Sequence, residues 1–148
     1  MTVINRSALV PFSAKKMFML VDDIESYPQF LPWCKSTKVI RRSDDNSELV
    51  GSIEIAKAGV NKTFTTRNTN TENQIEMNLV DGPFKHLHGY WRFAPLDDHA
   101  CKVSLDIEFS FSSKLLSMTL GPVFSQICNS LLNAYIRRAN EVYKRENE

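Results

Sequence analysis

The sequence predicts an α+β domain: a curved antiparallel sheet of about seven strands around a long C-terminal helix, with two short helices after the first strand. Three observations carry that expectation. From about Cys34 to Phe111 apolar residues recur with a period of two, as half-buried strands require. The breaks in this pattern are short and rich in turn residues; that suits antiparallel hairpins, because parallel strands need long crossovers. From Ser112 to Tyr143 the apolar period lengthens to that of a helix.

Each element has its own signal. Thr2 to Val10 reads as a strand, ended by Pro11. Ser13 is placed to cap a short helix running to about Val21, with Met17, Leu20 and Val21 on one face. Asp22 to Pro32 contains Pro28 and Pro32, and reads as a bent connector or a second short helix. Strand patterns follow near 35–42, 48–57, 60–70, 74–80, 84–95 and 100–111. Ser43-Asp44-Asp45-Asn46, Ala58-Gly59, Asn70 to Asn73, Asp81-Gly82-Pro83 and Asp97-Asp98 separate them.

The last strand is the clearest. Cys101, Val103, Leu105, Ile107, Phe109 and Phe111 alternate with Lys102, Ser104, Asp106, Glu108 and Ser110, so one face is buried and the other wet. In the 84–95 strand the inner set is Leu87, Gly89, Trp91 and Phe93. A glycine there lets a large object approach the backbone, and the C-terminal segment is the expected object. In that segment Leu116, Leu120, Val123, Phe124, Ile127, Leu131, Ala134, Tyr135 and Val142 share one broad arc. Gly121-Pro122 inside it predicts a kink or an interrupted start. With no repeat, linker or low-complexity tract, residues 1–148 read as a single domain. A one-sided sheet curved around one helix leaves space between them, and apolar space binds apolar molecules.

Composition narrows the function. The 148 residues carry 18 Lys+Arg against 17 Asp+Glu, so no global field draws nucleic acid or anionic lipid, and DNA is not an expected partner. Cys34, Cys101 and Cys128 are an odd number without metal-site spacing, which points to a reducing compartment and a cytoplasmic protein. The N-terminus lacks the pattern of a signal peptide, and the apolar runs are shorter than a spanning helix needs; contact with a membrane is expected to be transient. Glu54, Glu76, Asp106 and Glu108 alternate outward, so no buried acid–base pair is expected. There is no nucleophile elbow and no phosphate loop. His86 and His88 can hold a metal by spacing, yet sit on the outward face without supporting ligands, and no metal or required cofactor is expected. Cys34 beside Trp33 reads as an inert thiol.

Several blocks carry a family resemblance. Ser7-Ala8-Leu9-Val10-Pro11-Phe12-Ser13 and Tyr27-Pro28-Gln29-Phe30-Leu31-Pro32-Trp33-Cys34 come first. The run from Lys57 to Asn68, the run from Met77 to Phe84 with Trp91-Arg92-Phe93, and Arg138-Ala139-Asn140-Glu141-Val142-Tyr143 follow. Together they resemble the START-like family that includes polyketide cyclases, bacterial ribosome association toxins and mitochondrial coenzyme Q-binding proteins. The resemblance implies a helix-grip fold with a hydrophobic tunnel, ubiquinone or a related polyisoprenoid lipid as ligand, and support of respiration. For the bacterial branch it implies binding to the large ribosomal subunit, which blocks subunit joining and inhibits translation.

The candidate site follows from both lines. Phe30, Leu31, Pro32 and Trp33 form either a lid over the cavity or a plug at one end of the core. Phe64, Met77, Leu79, Leu87 and Trp91 are lining candidates from the strands, with Phe109 and Phe111. Leu116, Leu120 and Phe124 are the candidates from the helix. For each one, ordinary core packing is the competing reading. Lys35, Lys38, Arg41 and Arg42 form either a stripe for ribosomal RNA phosphates or a solvated surface balanced by Asp44, Asp45 and Glu48. Three functions compete: a hydrophobic-ligand carrier without catalytic residues, a ribosome-docking toxin, and a polyketide aromatase or cyclase.

Overall fold

Alternation of apolar and polar side chains sets the strands, and turn chemistry sets their pairing. The computed structural model describes residues 1–143; the basic pair Lys144 and Arg145 lies outside the described residues. The strands are β1 (Thr2–Val10), β2 (Cys34–Arg42), β3 (Glu48–Lys57), β4 (Val60–Thr71), β5 (Gln74–Asp81), β6 (Phe84–Asp97) and β7 (Ala100–Phe111). They form one sheet in the order β1-β7-β6-β5-β4-β3-β2, with every neighbouring pair antiparallel. β2 to β7 is a run of hairpins. β1 joins at the far end, with Thr2 opposite Phe109 and Val10 opposite Cys101. Between β3 and β4 the two-residue turn Ala58-Gly59 has φ of 53° and 79°, the left-handed pair that matches the twist of a hairpin.

The helices start where capping side chains stand. Ser13 Oγ accepts the Lys16 N–H at 3.1 Å and opens α1 (Ala14–Asp22). A short 3-10 helix, Ile24–Gln29, contains Pro28, which explains the bent connector seen in the sequence. Ser113 Oγ accepts the Leu116 N–H at 3.1 Å at the start of α2 (Lys114–Tyr143). The expected interruption at Gly121-Pro122 does not occur: α2 runs unbroken through it. Pro122 removes one helical donor, but it and Met118 lie exposed, so water can serve the freed carbonyl.

α2 buries Leu120, Phe124, Ile127, Cys128, Leu132, Tyr135 and Ala139. This stripe is rotated from the arc read in the sequence: Leu116, Val123, Leu131, Ala134 and Val142 are only half-buried, while Cys128, Leu132 and Ala139 move inside. By length and average composition alone α2 could span a bilayer, but its uninterrupted apolar runs are short, as read in the sequence. Here that stripe packs into the core. Gly89 also differs in its partner. A Cβ there would stand 2.8 Å from the Asp106 carbonyl oxygen and 3.1 Å from Met77 Cε, so neighbouring strands, not the C-terminal helix, demand the glycine. At Gly51 the close neighbour is Ile24 of the 3-10 helix, whose Cδ1 would lie 2.4 Å from an added Cβ.

Candidate ligand-binding cavity

Because α2 touches the concave face of the sheet along only part of its length, a partly open space remains between them. It is a cavity of about 70 Å³. The 3-10 helix contributes Ile24 and Tyr27, and the segment after it contributes Trp33. The sheet contributes Gly51 and Ile53 from β3, Phe64, Thr66 and Asn68 from β4, Met77 from β5, Leu87 and Trp91 from β6, and Leu105 and Ile107 from β7. α2 closes it with Phe124, Ile127, Cys128, Leu131 and Tyr135. Both tryptophans of the chain are in this wall.

The aromatic groups hold one another edge to face. The Trp91 and Tyr135 ring centroids are 5.1 Å apart at 88°. Tyr135 also meets Tyr27 at 5.6 Å and Phe30 at 5.5 Å. The tyrosine hydroxyls form a relay: Tyr135 donates to the Tyr27 oxygen, and Tyr27 donates to the Val21 carbonyl. That carbonyl lies in the last turn of α1, where no helical donor follows. Burial pushes both phenols well above their ordinary range. It also pushes the Cys128 thiol up to about 12. Thr66 is 8% exposed, and its hydroxyl donates to Asn68 Oδ1 at 2.9 Å. No carboxylate, imidazole or cation lines the cavity among the described residues.

The residues singled out in the sequence fall into distinct places. Trp33, Phe64, Met77, Leu87, Trp91 and Phe124 line the cavity. Leu31 and Leu120 are buried in the core, and Pro32 is exposed. Phe30 is half-buried beside Tyr27 and Tyr135, with the Arg138 guanidinium 5.1 Å over its ring. The Phe30–Trp33 segment therefore walls one end of the cavity through Trp33 while Leu31 anchors it. Phe109 and Phe111 pack with Phe84 and Phe124 outside the lining; Leu79 and Leu116 are half-buried, also outside it.

Sequence reasoning passed over Tyr27, Tyr135, Thr66 and Asn68. The signal was present, since Thr66 and Asn68 follow Phe64 at a spacing of two on one strand face, but their polarity disguised an inward position, buried for Thr66 and half-buried for Asn68.

The basic stripe does not stay together. Arg42 turns to Asp22, its Nη1 3.0 Å from Oδ2, in a cluster with Asn46 and Asn70. Arg41 pairs with Glu48, and Lys35 lies 3.9 Å from Glu54. Lys38 is exposed with no ion-pair partner among the described residues. Across the sheet, His86 contacts Glu108 at 3.1 Å and His88 contacts Glu76 at 2.8 Å. No group of three or more metal-ligating side chains occurs among the described residues.

Known proteins resemble this arrangement along most of the chain. A family model described as polyketide cyclase / dehydrase and lipid transport matches residues 10–136. The ribosome association toxin RatA of Vibrio cholerae is 49% identical, over 97% of this chain and 99% of its own. Its namesake from Escherichia coli is 45% identical, over 97% and 90%. The mitochondrial coenzyme Q-binding protein COQ10 homolog B of Xenopus laevis is 27% identical, over 96% of this chain and 59% of its own. Among solved structures, a START superfamily protein from Mycobacterium smegmatis superposes with TM-score 0.81 at 20% identity, covering 95% and 98%. The Zhui aromatase/cyclase from a Streptomyces species gives 0.82 at 17%, covering 94% and 93%. At those identities the two structures speak for the START-like helix-grip fold alone.

Proposed function

Because the chain belongs to the polyketide cyclase, dehydrase and lipid transport family, we propose that it is a carrier that binds ubiquinone, or a related polyisoprenoid lipid, between α2 and the sheet and so supports respiration. The observation that supports this most is the wall itself: apolar and aromatic almost throughout, with both tryptophans in it. Apolar burial supplies affinity at roughly 25 cal/mol per Å² before ordering costs. Binding requires the walls to part. An engineered cavity of about 150 Å³ is what accepts a benzene ring, and this one measures about 70 Å³. The segment around Phe30 and Trp33 is the part we assign to that opening, since Trp33 walls one end of the cavity and Phe30 beside it is only half-buried.

The names of the relatives favour a second activity on the outer surface. We propose that the chain also docks on the large ribosomal subunit in the cytoplasm and blocks subunit joining, as a toxin would. Lys38 and Arg41 are the residues we assign to RNA phosphates, since the pairing of Arg41 with Glu48 is a surface one that phosphate can displace, whereas Arg42 is held in a less exposed pair by Asp22. We assign no catalytic step. At neutral pH the phenols and thiol of the cavity stay protonated and serve poorly as bases, which weighs against cyclase chemistry.

Mass spectrometry of an organic extract of the natively expressed protein tests the first reading. Stoichiometric isoprenoid quinone is the expected result, and an empty protein from respiring cells overturns it. Sucrose-gradient profiles test the second. Overproduction should deplete joined ribosomes, and Lys38→Glu with Arg41→Glu should restore them; an unchanged profile on overproduction refutes it.

A further inference from the structure

We infer that Thr66 and Asn68 of β4 are the polar recognition point of the cavity, and that they select a ligand whose buried ring carries a neutral carbonyl oxygen. The inference rests on the carrier reading and specifies its ligand chemistry.

Only a few polar side chains reach this wall, and most are already satisfied. The hydroxyls of Tyr27 and Tyr135 are used in their relay to the Val21 carbonyl. The Cys128 thiol is a weak donor. Thr66 differs: it is the buried polar side chain of the core, and its hydroxyl points its proton at Asn68 Oδ1. That bond uses the acceptor end of the Asn68 amide and fixes its orientation. The Nδ2 end keeps two N–H donors, with no partner among the described residues.

Asn68 is half-buried, so a ligand that covers its amide must bring an acceptor, because a donor sealed against apolar walls without one is costly. The position fits such a use. Thr66 faces Gly51 across the β3–β4 ladder, where no side chain intervenes, and Asn68 faces Met77, a flexible neighbour that can yield. The acceptor must be neutral. A carboxylate would enter a wall that holds no lysine, arginine or histidine among the described residues. A protonated amine would bring donors to a donor. A quinone or ketone oxygen meets both requirements.

Calorimetric titration of the full chain with three probes tests this: a decyl-tailed benzoquinone, decylbenzene and decanoate. Wild type should bind the quinone most tightly and decanoate most weakly at neutral pH. Asn68→Leu should weaken quinone binding about tenfold, the effect of one hydrogen bond in a desolvated site, and leave decylbenzene unchanged or tighter. Thr66→Val, which keeps the shape and frees the amide to rotate, should weaken the quinone by a smaller factor. Melting curves of both variants establish that they fold; Thr66→Val serves alone if Asn68→Leu does not. Equal affinity of wild type for quinone and hydrocarbon, or equal losses on both probes in the variants, overturns the inference and leaves the carrier reading standing. Failure of wild type to bind either uncharged probe overturns the carrier reading itself.

Discussion

Removing the Tyr27 hydroxyl should cost far more than removing that of Tyr135, although both are buried and hydrogen-bonded to each other. Tyr135 only donates to Tyr27; Tyr27 receives that bond and donates onward to the Val21 carbonyl at the end of α1. Tyr135→Phe loses one hydrogen bond and leaves the Tyr27 proton still placed, a cost of about 1 kcal/mol. Tyr27→Phe orphans two groups at once, the Val21 carbonyl and the Tyr135 hydroxyl. Within the range of about 1–3 kcal/mol for a buried orphan, about 2 for the carbonyl and about 1 for the hydroxyl give about 3 kcal/mol. The double variant has only the carbonyl orphaned, about 2 kcal/mol, and so is more stable than Tyr27→Phe alone. For a domain of this size 1 kcal/mol moves the melting temperature by about 2–4 °C. The expected drops are therefore roughly 6–12 °C for Tyr27→Phe, 2–4 °C for Tyr135→Phe and 4–8 °C for the pair. Calorimetric melting or urea titration reads all three. Equal effects of the two single variants, or additive effects in the double, would refute the relay.

Three further expectations follow from other parts of the molecule. Asp45 accepts from Ser47 Oγ at 2.7 Å, from the Ser47 N–H at 3.0 Å and from Ser43 Oγ at 2.9 Å, and these bonds lower its pKa to about 2. Its contribution to the β2–β3 turn is thus present above the ordinary carboxylate range and lost as pH falls from about 4 towards 2; NMR titration of the side chain should show the low midpoint, and a midpoint near 4 contradicts it. Burial raises the Cys34 thiol to about 11, aided by Glu54, and burial alone raises Cys101 and Cys128. All three cysteines should resist a thiol reagent at pH 8 until denaturant is added, and fast labelling of the native protein would show that the thiols are accessible. Gly89→Ala would place a methyl group 2.8 Å from a backbone oxygen that cannot swing away. It should destabilise by about 1–2 kcal/mol, overpacking outweighing the usual gain of replacing strand glycine, and a rise in denaturation midpoint would count against the packing at that position.

The strands and the first helix were legible in the sequence because each depends on local rules. Alternation from Cys101 to Phe111, the cap at Ser13 and the turn at Ala58-Gly59 act over a few residues. The departures arise where distant elements decide. Whether Pro122 breaks α2 depends on which face meets solvent, and the sequence arc is too broad to settle a rotation of that kind. Gly51 and Gly89 look alike in sequence; the 3-10 helix presses on one and β7 with Met77 on the other. Arg42 leaves its basic neighbours because Asp22, twenty residues earlier, waits at the end of α1. In the cavity, large apolar residues such as Trp91 and Phe124 announced themselves, whereas Thr66 and Asn68 looked like surface residues until β4 was set against β3 and β5.

The pairing of β1 with β7 has a consequence for the protein's birth. Val10 cannot meet Cys101, nor Thr2 meet Phe109, until the ribosome has made almost the entire sheet. At translation speeds of about 5–20 residues per second, the first strand waits roughly 5–20 s for its partner. During that interval the nascent chain carries an unclaimed β-edge, and Leu9 and Val3 stay outward-facing even after closure. Completion comes late, so the cavity can form only after β7 and α2 have been made.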